Sequence, residues 1–383
     1  MNYQTDVCII GSGPGGALLA YLLAKQNIST ILIERSDKLG KEFRGEHLNE
    51  DGEMILKKHH IFEEIESLGL LRMSRVEYWK DGHIFKTIEP ENGHAGIHVP
   101  QQHLLQSINN QASIQPSYKL MLGTKVTELI KSAHGHYIGI KAIQKDGKDI
   151  TIQSKLIIGA DGRHSAVRKL AHIKNEIKHH GYDLLWAKIP TPKKWEPTIR
   201  FTVVNNQQMA LFTQTGGFIQ IGWNIKEGSY TSLKKQSIQP FLDQLILAFP
   251  QLKESIEQNL HSWKDFILLS VYSSHCNTWV KDGLAIIGDA AHTMTPTGAY
   301  GMNAAIMDAE VLSQILPKLI SQGSLEAGQL KEFENARRKI VKDLQEQQIV
   351  AEASFLENFS APLKLEGERL PLFQYTNKKL PPY

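Results

Sequence analysis

The chain has 383 residues, 41% hydrophobic and 22% charged, which is ordinary globular usage and enough for one large domain or two intimately joined ones. A net charge of +3 is spread along the chain with no basic patch, which argues against nucleic-acid binding. Cys8 and Cys276 lack metal-ligand spacing and fit a reducing cytoplasm without a metal site, and no apolar run reaches the length of a membrane span.

The first strand is expected at residues 6–10, so close to Met1 that no signal peptide is expected. Gly11-Ser12-Gly13-Pro14-Gly15-Gly16 follows at once, then a helical stretch over 17–25 and a second apolar strand over 30–33 that ends at Glu34. This is the βαβ fingerprint of a dinucleotide site. Gly11 permits the tight turn, Gly13 lets the backbone approach a pyrophosphate, and Gly16 allows the helix to pack on the strand. Glu34 is placed to accept hydrogen bonds from the adenosine ribose, with Arg35 beside it among the expected cofactor contacts. The fingerprint alone does not separate FAD from NAD.

Short strands with turns are expected over 76–97, then a helix from about 101 with Leu104, Leu105, Ile108 and Ala112 on its apolar face. Strands follow over 120–129, 137–144 and 150–153. A buried strand over 156–160 ends in Asp161-Gly162, and a helix opens over 165–170. Asp161 can bind a ribose hydroxyl or cap that helix, and the two readings are compatible. From 182 to 270 strand patterns dominate, with antiparallel strands over 198–204, 208–214 and 218–225, and an amphipathic helix over 237–249. Residues 284–287 form another buried strand, and Asp289 sits where it stops, able to reach a ribose or polyol hydroxyl. A turn-rich loop from Pro296 to Gly301 then leads into a helix whose first residues are Gly301, Met302 and Asn303. Free N–H groups and the positive dipole end there suit an electron-rich or anionic ring. A strand-end carboxylate followed by such a helix start describes a flavin site, and it decides for FAD over NAD. A long helix over 329–356 and an extended, proline-bearing tail over 362–383 complete the chain.

Three segments carry a resemblance: Gly11 to Gly16 with Glu34, Asp161-Gly162 with its following helix, and Gly288-Asp289-Ala290-Ala291-His292 with the Pro296-Thr297-Gly298-Ala299, Gly301 and Asn303 loop. In this order they resemble the group A FAD-dependent aromatic monooxygenases, the para-hydroxybenzoate hydroxylase-like flavoprotein family. The resemblance implies an α/β fold: a Rossmann-like FAD-binding domain interleaved with a mostly antiparallel substrate sheet. It places the FAD-binding domain at 1–72, 98–175 and 276–345, the substrate sheet at 73–97 and 176–275, and a helix end and tail at 346–383.

The implied reaction hydroxylates an aromatic or heteroaromatic small molecule through a flavin C4a-hydroperoxide. NADPH or NADH would reduce the flavin and O2 would supply the oxygen atom, in a cytoplasmic monomer or homodimer. A flavin-dependent halogenase and a flavin dehydrogenase or reductase are the alternatives on the same fold. By the same resemblance Arg44 lies beside the flavin, Gln101 (or Gln102) stands where relatives place an arginine, Val126 lies along the adenine or is plain core, and Pro296 lies at the reacting ring. His47 is read as substrate-facing or as a bystander. On the sheet, Thr213, Gln214 and Trp223 are the candidate substrate contacts. Benzoate hydroxylases hold their carboxylate with an arginine on this sheet. The 211–225 hairpin has none, and Arg200 on the preceding strand is the nearest cation. A neutral ring is therefore expected to fit better than a free carboxylate, whose burial without a cation is costly.

Overall fold

The computed structural model describes residues 1–40, 46–91, 93–204 and 207–359. Arg44, Asn92 and the tail from 360 onward lie outside the described residues. Two large sheets organise what is described. In the first, strands Leu284–Ile286, Asp149–Gly159, Asn2–Ile10, Thr30–Ile33 and Tyr118–Met121 lie side by side and parallel. Their near-continuous apolar runs, such as Val7, Cys8 and Ile9 at 0% exposure, are what a parallel sheet covered on both faces requires. Helix Pro14–Ala24 is buried from Gly15 to Ala24 because it lies between this sheet and the helices Gln101–Ser113 and Tyr300–Gln322.

The second sheet runs Ile267–Cys276, Asn175–Pro190, Phe218–Lys226, Gln207–Gln214, Thr198–Val204, Arg75–Lys80 and His83–Ile88. Only the Thr198–Val204 and Arg75–Lys80 pairing in it is parallel. Its outer face, with Leu185, Ile219, Ile221, Trp223 and Ile225, packs beneath helices Gln239–Ala248 and Lys253–Asn259. Its inner face is left to roof a cavity against the first sheet.

The Rossmann-like FAD-binding fold interleaved with an antiparallel sheet, expected from the sequence, is the fold the chain adopts. Its details differ in several places. The strand expected over 120–129 is two strands, Tyr118–Met121 and Thr124–Lys131, because Gly123 turns the chain with φ +60°. The strands expected over 150–153 and 156–160 are one, Asp149–Gly159. Helices Glu50–Lys58 and Phe62–Leu68 had no counterpart in the reading of the sequence. The first starts where Asn49 Oδ1 accepts from Gly52 N–H at 2.9 Å, with three acids in its opening turn, a favourable N-terminus by side-chain capping and dipole alike. Among the described residues no helix is long and apolar enough to cross a membrane.

Candidate cofactor and substrate site

The glycine loop shows three different uses of glycine. Gly11 has φ +104°, and a Cβ there would sit 2.4 Å from Ala160 O, so turn and packing both demand glycine. At Gly16 a Cβ would meet Gly11 O at 2.1 Å, because helix and strand touch there. Gly13 is unlike either. Its φ of −66° suits any residue, and a Cβ would find no heavy atom within 4 Å. Neither backbone nor packing requires glycine at that position, and the open space lies over the start of helix Pro14–Ala24, where N–H groups point outward. A cradle of that shape fits a dinucleotide pyrophosphate. Glu34 stands at the adjoining strand end and accepts from Ser12 N–H at 3.0 Å and Ser36 N–H at 2.9 Å. Arg35 is exposed beside it.

Asp161 turns its carboxylate into the helix that follows. It accepts from Ser165 Oγ at 2.5 Å, Ala166 N–H at 2.6 Å and Val167 N–H at 3.1 Å, which is the capping role of its two compatible readings. Burial raises its pKa against those three bonds. Two residues on, Arg163 reaches Asp289 Oδ2 at 3.3 Å, a pair left partly open to solvent. Asp289 thus keeps acceptor capacity at the strand end for a ligand hydroxyl. Behind it the strand end is held by a buried ion network. Asp308 accepts from Gly288 N–H at 2.9 Å and pairs with His292 at 2.7 Å and Arg337 at 2.8 Å.

The loop after it is clamped from the long helix Ala327–Ala353. Glu352 Oε1 accepts from Thr295 and Thr297 hydroxyls, both at 2.7 Å, and from Tyr182 at 2.9 Å, while Gln348 donates to the carbonyls of Thr295 and Thr297. Gly298 and Ala299 then take left-handed backbone to start helix Tyr300–Gln322. The side chain of Asn303 serves the protein: its amide donates to His47 O and Ala299 O, each at 3.0 Å, and its oxygen accepts from Asn49 N–H at 3.1 Å.

All of this borders one open cavity, about 1470 Å³ of empty space counted with its solvent-open mouth. Gly13, Pro14, Gly15, Gly16, His47, Gln101, Thr213, Gln214, Asp289, Pro296, Gly301 and Met302 line it. Gly11, Ser12, Glu34, Arg35, Val126, Asp161, Arg200, Trp223 and Asn303 do not. Val126 is a core residue on strand Thr124–Lys131. Trp223 lies on the outer face of the roof, its ring 3.9 Å from that of Phe241. Arg200 points the same way, paired with Glu77 at 2.9 Å and stacked 3.6 Å over the Trp195 ring. Thr213 spends its hydroxyl on Trp195 and on the Thr198 backbone.

A second chamber of about 630 Å³ adjoins the first and shares His47, Trp186, Phe212, Pro296 and Ala299 with it. Phe201, Leu184 and Ile199 make its remaining walls largely apolar. Trp186 fits because residue 222 is glycine; a Cβ there would meet the indole at 2.7 Å. Gln220, expected among the inward residues of the hairpin, does line the cavity, whereas the reading of the sequence did not single out Trp186, Phe212, Glu46, His98 or Arg163. Among the described residues no group of three His, Cys, Asp or Glu side chains could hold a metal ion.

Burial, with His98 and His94 nearby, pushes the His47 pKa down to about 4. Burial beside Arg338 and His292 does the same for His275, also to about 4. Unfolded, both would titrate near ~6.5. Below that pH the unfolded chain binds protons the native one refuses. Stability should therefore hold above pH ~6.5 and fall steadily as pH drops toward 4, by up to ~3 kcal/mol for each histidine. Glu310 and Asp308, held down at about 2 by their cationic partners against burial, extend the loss at lower pH. Melting temperature against pH checks this; a flat or rising curve from pH 7 down to 5 would contradict it.

With that geometry in hand, the comparisons with known proteins are specific. A family model described as "FAD binding domain" matches residues 4–348. The chain is 31% identical to 6-methylpretetramide 4-monooxygenase of Streptomyces rimosus, over 82% of this chain and 75% of that protein. Among solved structures, PqsL of Pseudomonas aeruginosa superposes with a TM-score of 0.78 at 19% identity, covering 92% of this chain and 96% of the other. The p-nitrophenol 4-monooxygenase of Pseudomonas putida gives 0.76 at 15% identity, covering 93% and 90%. Likenesses at that identity speak to the fold.

Proposed function

Because the chain belongs to the FAD-binding-domain family and is an FAD-dependent monooxygenase, we propose that it hydroxylates an aromatic or heteroaromatic small molecule, drawing electrons from NADPH or NADH and oxygen from O2. One observation carries this reading: the Gly13 cradle, Asp289, the start of helix Tyr300–Gln322 and the aromatic underside of the roof all face one cavity. Bound FAD supplies the redox and oxygen-activating chemistry. The rest falls to residues of this chain. The loop at Gly13 and the helix start at Pro14 would hold the pyrophosphate. Asp289, kept in place by Arg163, would accept from the ribityl chain, a charge-assisted contact. The helix start at Gly301 and Met302 would favour negative charge on the flavin. Glu352 and Gln348 fix the loop that carries Pro296 at the cavity wall. Trp186 and Phe212 take the flat face of the substrate and keep water from the reacting centre.

The experiment supplies each nicotinamide to the FAD-loaded protein with a panel of phenols, indoles and quinolones under labelled O2. Stimulated nicotinamide oxidation with one labelled atom in the product is the expected result. Nicotinamide oxidation that no aromatic stimulates would defeat the reading. So would a product that is reduced, or halogenated when halide is present, instead of hydroxylated.

A further inference from the structure

We propose that Glu46 is the hydrogen-bond acceptor that selects the substrate, favouring a ring that carries an O–H or N–H donor and rejecting one that carries a carboxylate. The inference rests on reading this cavity as the hydroxylation site. Glu46 lines the cavity wall with its side chain 16% exposed. Its Oε2 accepts from His98 Nε2 and Gln214 Nε2, both at 3.3 Å, and its Oε1 accepts from Gln101 N–H at 3.4 Å. All three bonds are long for N–H···O, and a carboxylate offers about four acceptor positions, so the shell has room for a shorter, stronger donor.

Thr215 N–H donates to His98 Nδ1 at 3.2 Å, and the other ring nitrogen, Nε2, faces Glu46. Among the described residues no lysine or arginine pairs with Glu46. Arg163 is engaged by Asp289, and Arg200 faces the other side of the roof against Glu77. Gln214 is held in turn by Gln220, so the acceptor surface keeps its shape before a ligand arrives. A ligand carboxylate brought here meets a like charge, and among the described residues no lysine or arginine pairs with Glu46 to offset it. A ligand hydroxyl or N–H completes the shell with a charge-assisted bond.

Ligand affinity can be read on the FAD-loaded enzyme from perturbation of the flavin spectrum, without turnover. The probes are 2-naphthol with its methyl ether, indole with N-methylindole, and 2-naphthoate. Each donor is expected to bind about tenfold or more tighter than its methylated partner, as a hydrogen bond to a charged group would give. In Glu46→Gln the gap should close and 2-naphthoate should bind more tightly, a gain that a merely structural role would not produce. Equal binding of naphthol and its ether to the unmodified enzyme overturns the proposal even if the variant fails to fold. So does a naphthol that does not bind at all. A variant that loses FAD while keeping its donor preference would place Glu46 on the cofactor and overturns it equally. Absence of aromatic-stimulated nicotinamide oxidation, by contrast, would count against the monooxygenase reading and leave the affinity result standing.

Discussion

Asp308→Ala is expected to cost the fold about 3–5 kcal/mol, the usual result of removing one partner from a buried ion pair. The carboxylate is fully buried and its three donors come from three separate segments: Gly288 at the end of a parallel strand, His292 in the following loop, and Arg337 in the long C-terminal helix. Burial alone would raise its pKa, yet His292 and Arg337 outweigh burial and hold it at about 2. Alanine leaves the Arg337 guanidinium at 1% exposure with no counter-charge, and Gly288 N–H with no acceptor. Asp308→Asn, which can still accept from Gly288, should fall between. Chemical denaturation checks this, and a loss under ~1 kcal/mol for the alanine variant would mean that water or rearrangement replaces the carboxylate. FAD affinity should fall with stability, since the same carboxylate holds the strand end that presents Asp289.

What the sequence made legible is local. The glycine loop with Glu34, Asp161 with the helix it caps, and Asp289 with the helix that follows are each set within a few tens of residues, where strand ends, turns and helix starts have their own chemical marks. The cavity wall is a different kind of object. Glu46 meets Gln214 across 168 residues, and Glu352 meets Tyr182 across 170, and no local pattern encodes either meeting.

Strand phase was the other missing quantity. Both faces of the roof are covered, so alternation along it does not announce which parity faces the cavity. Trp223 was accordingly expected among the substrate contacts, whereas it packs against Phe241 on the far face. A usable mark was present nonetheless. Ile219, Ile221, Trp223 and Ile225 form an unbroken apolar set, while Gln220, Gly222 and Asn224 alternate with them. The uniformly apolar parity belongs to the face sealed by helices, and the mixed parity to the face that meets ligand. Arg200 carried a similar mark in its parallel partner Glu77, opposite in charge and directly across the register. Arg200, the exception held open, is therefore turned away from the cavity and spent on Glu77.

Gly13→Leu is expected to leave the fold intact and remove FAD. The backbone at Gly13, φ −66° and ψ 173°, is open to any L-residue, and a Cβ there touches nothing. A leucine would instead project into the space over the start of helix Pro14–Ala24, where the pyrophosphate must approach the backbone closely. Displacing it forfeits at least two charge-assisted hydrogen bonds of about 1.5–3 kcal/mol each, so affinity should drop by about a hundredfold or more. Melting temperatures must be compared between the two apo proteins, because bound FAD would itself stabilise the parent. Gly16→Ala provides the contrast. Its Cβ would collide with Gly11 O at 2.1 Å, so that variant should lose stability whether or not FAD is present. A Gly13→Leu protein that purifies yellow, with its FAD affinity unchanged, would take the pyrophosphate away from this loop. A Gly13→Leu protein that melts early in the apo form would instead show that packing, not the ligand, requires the glycine.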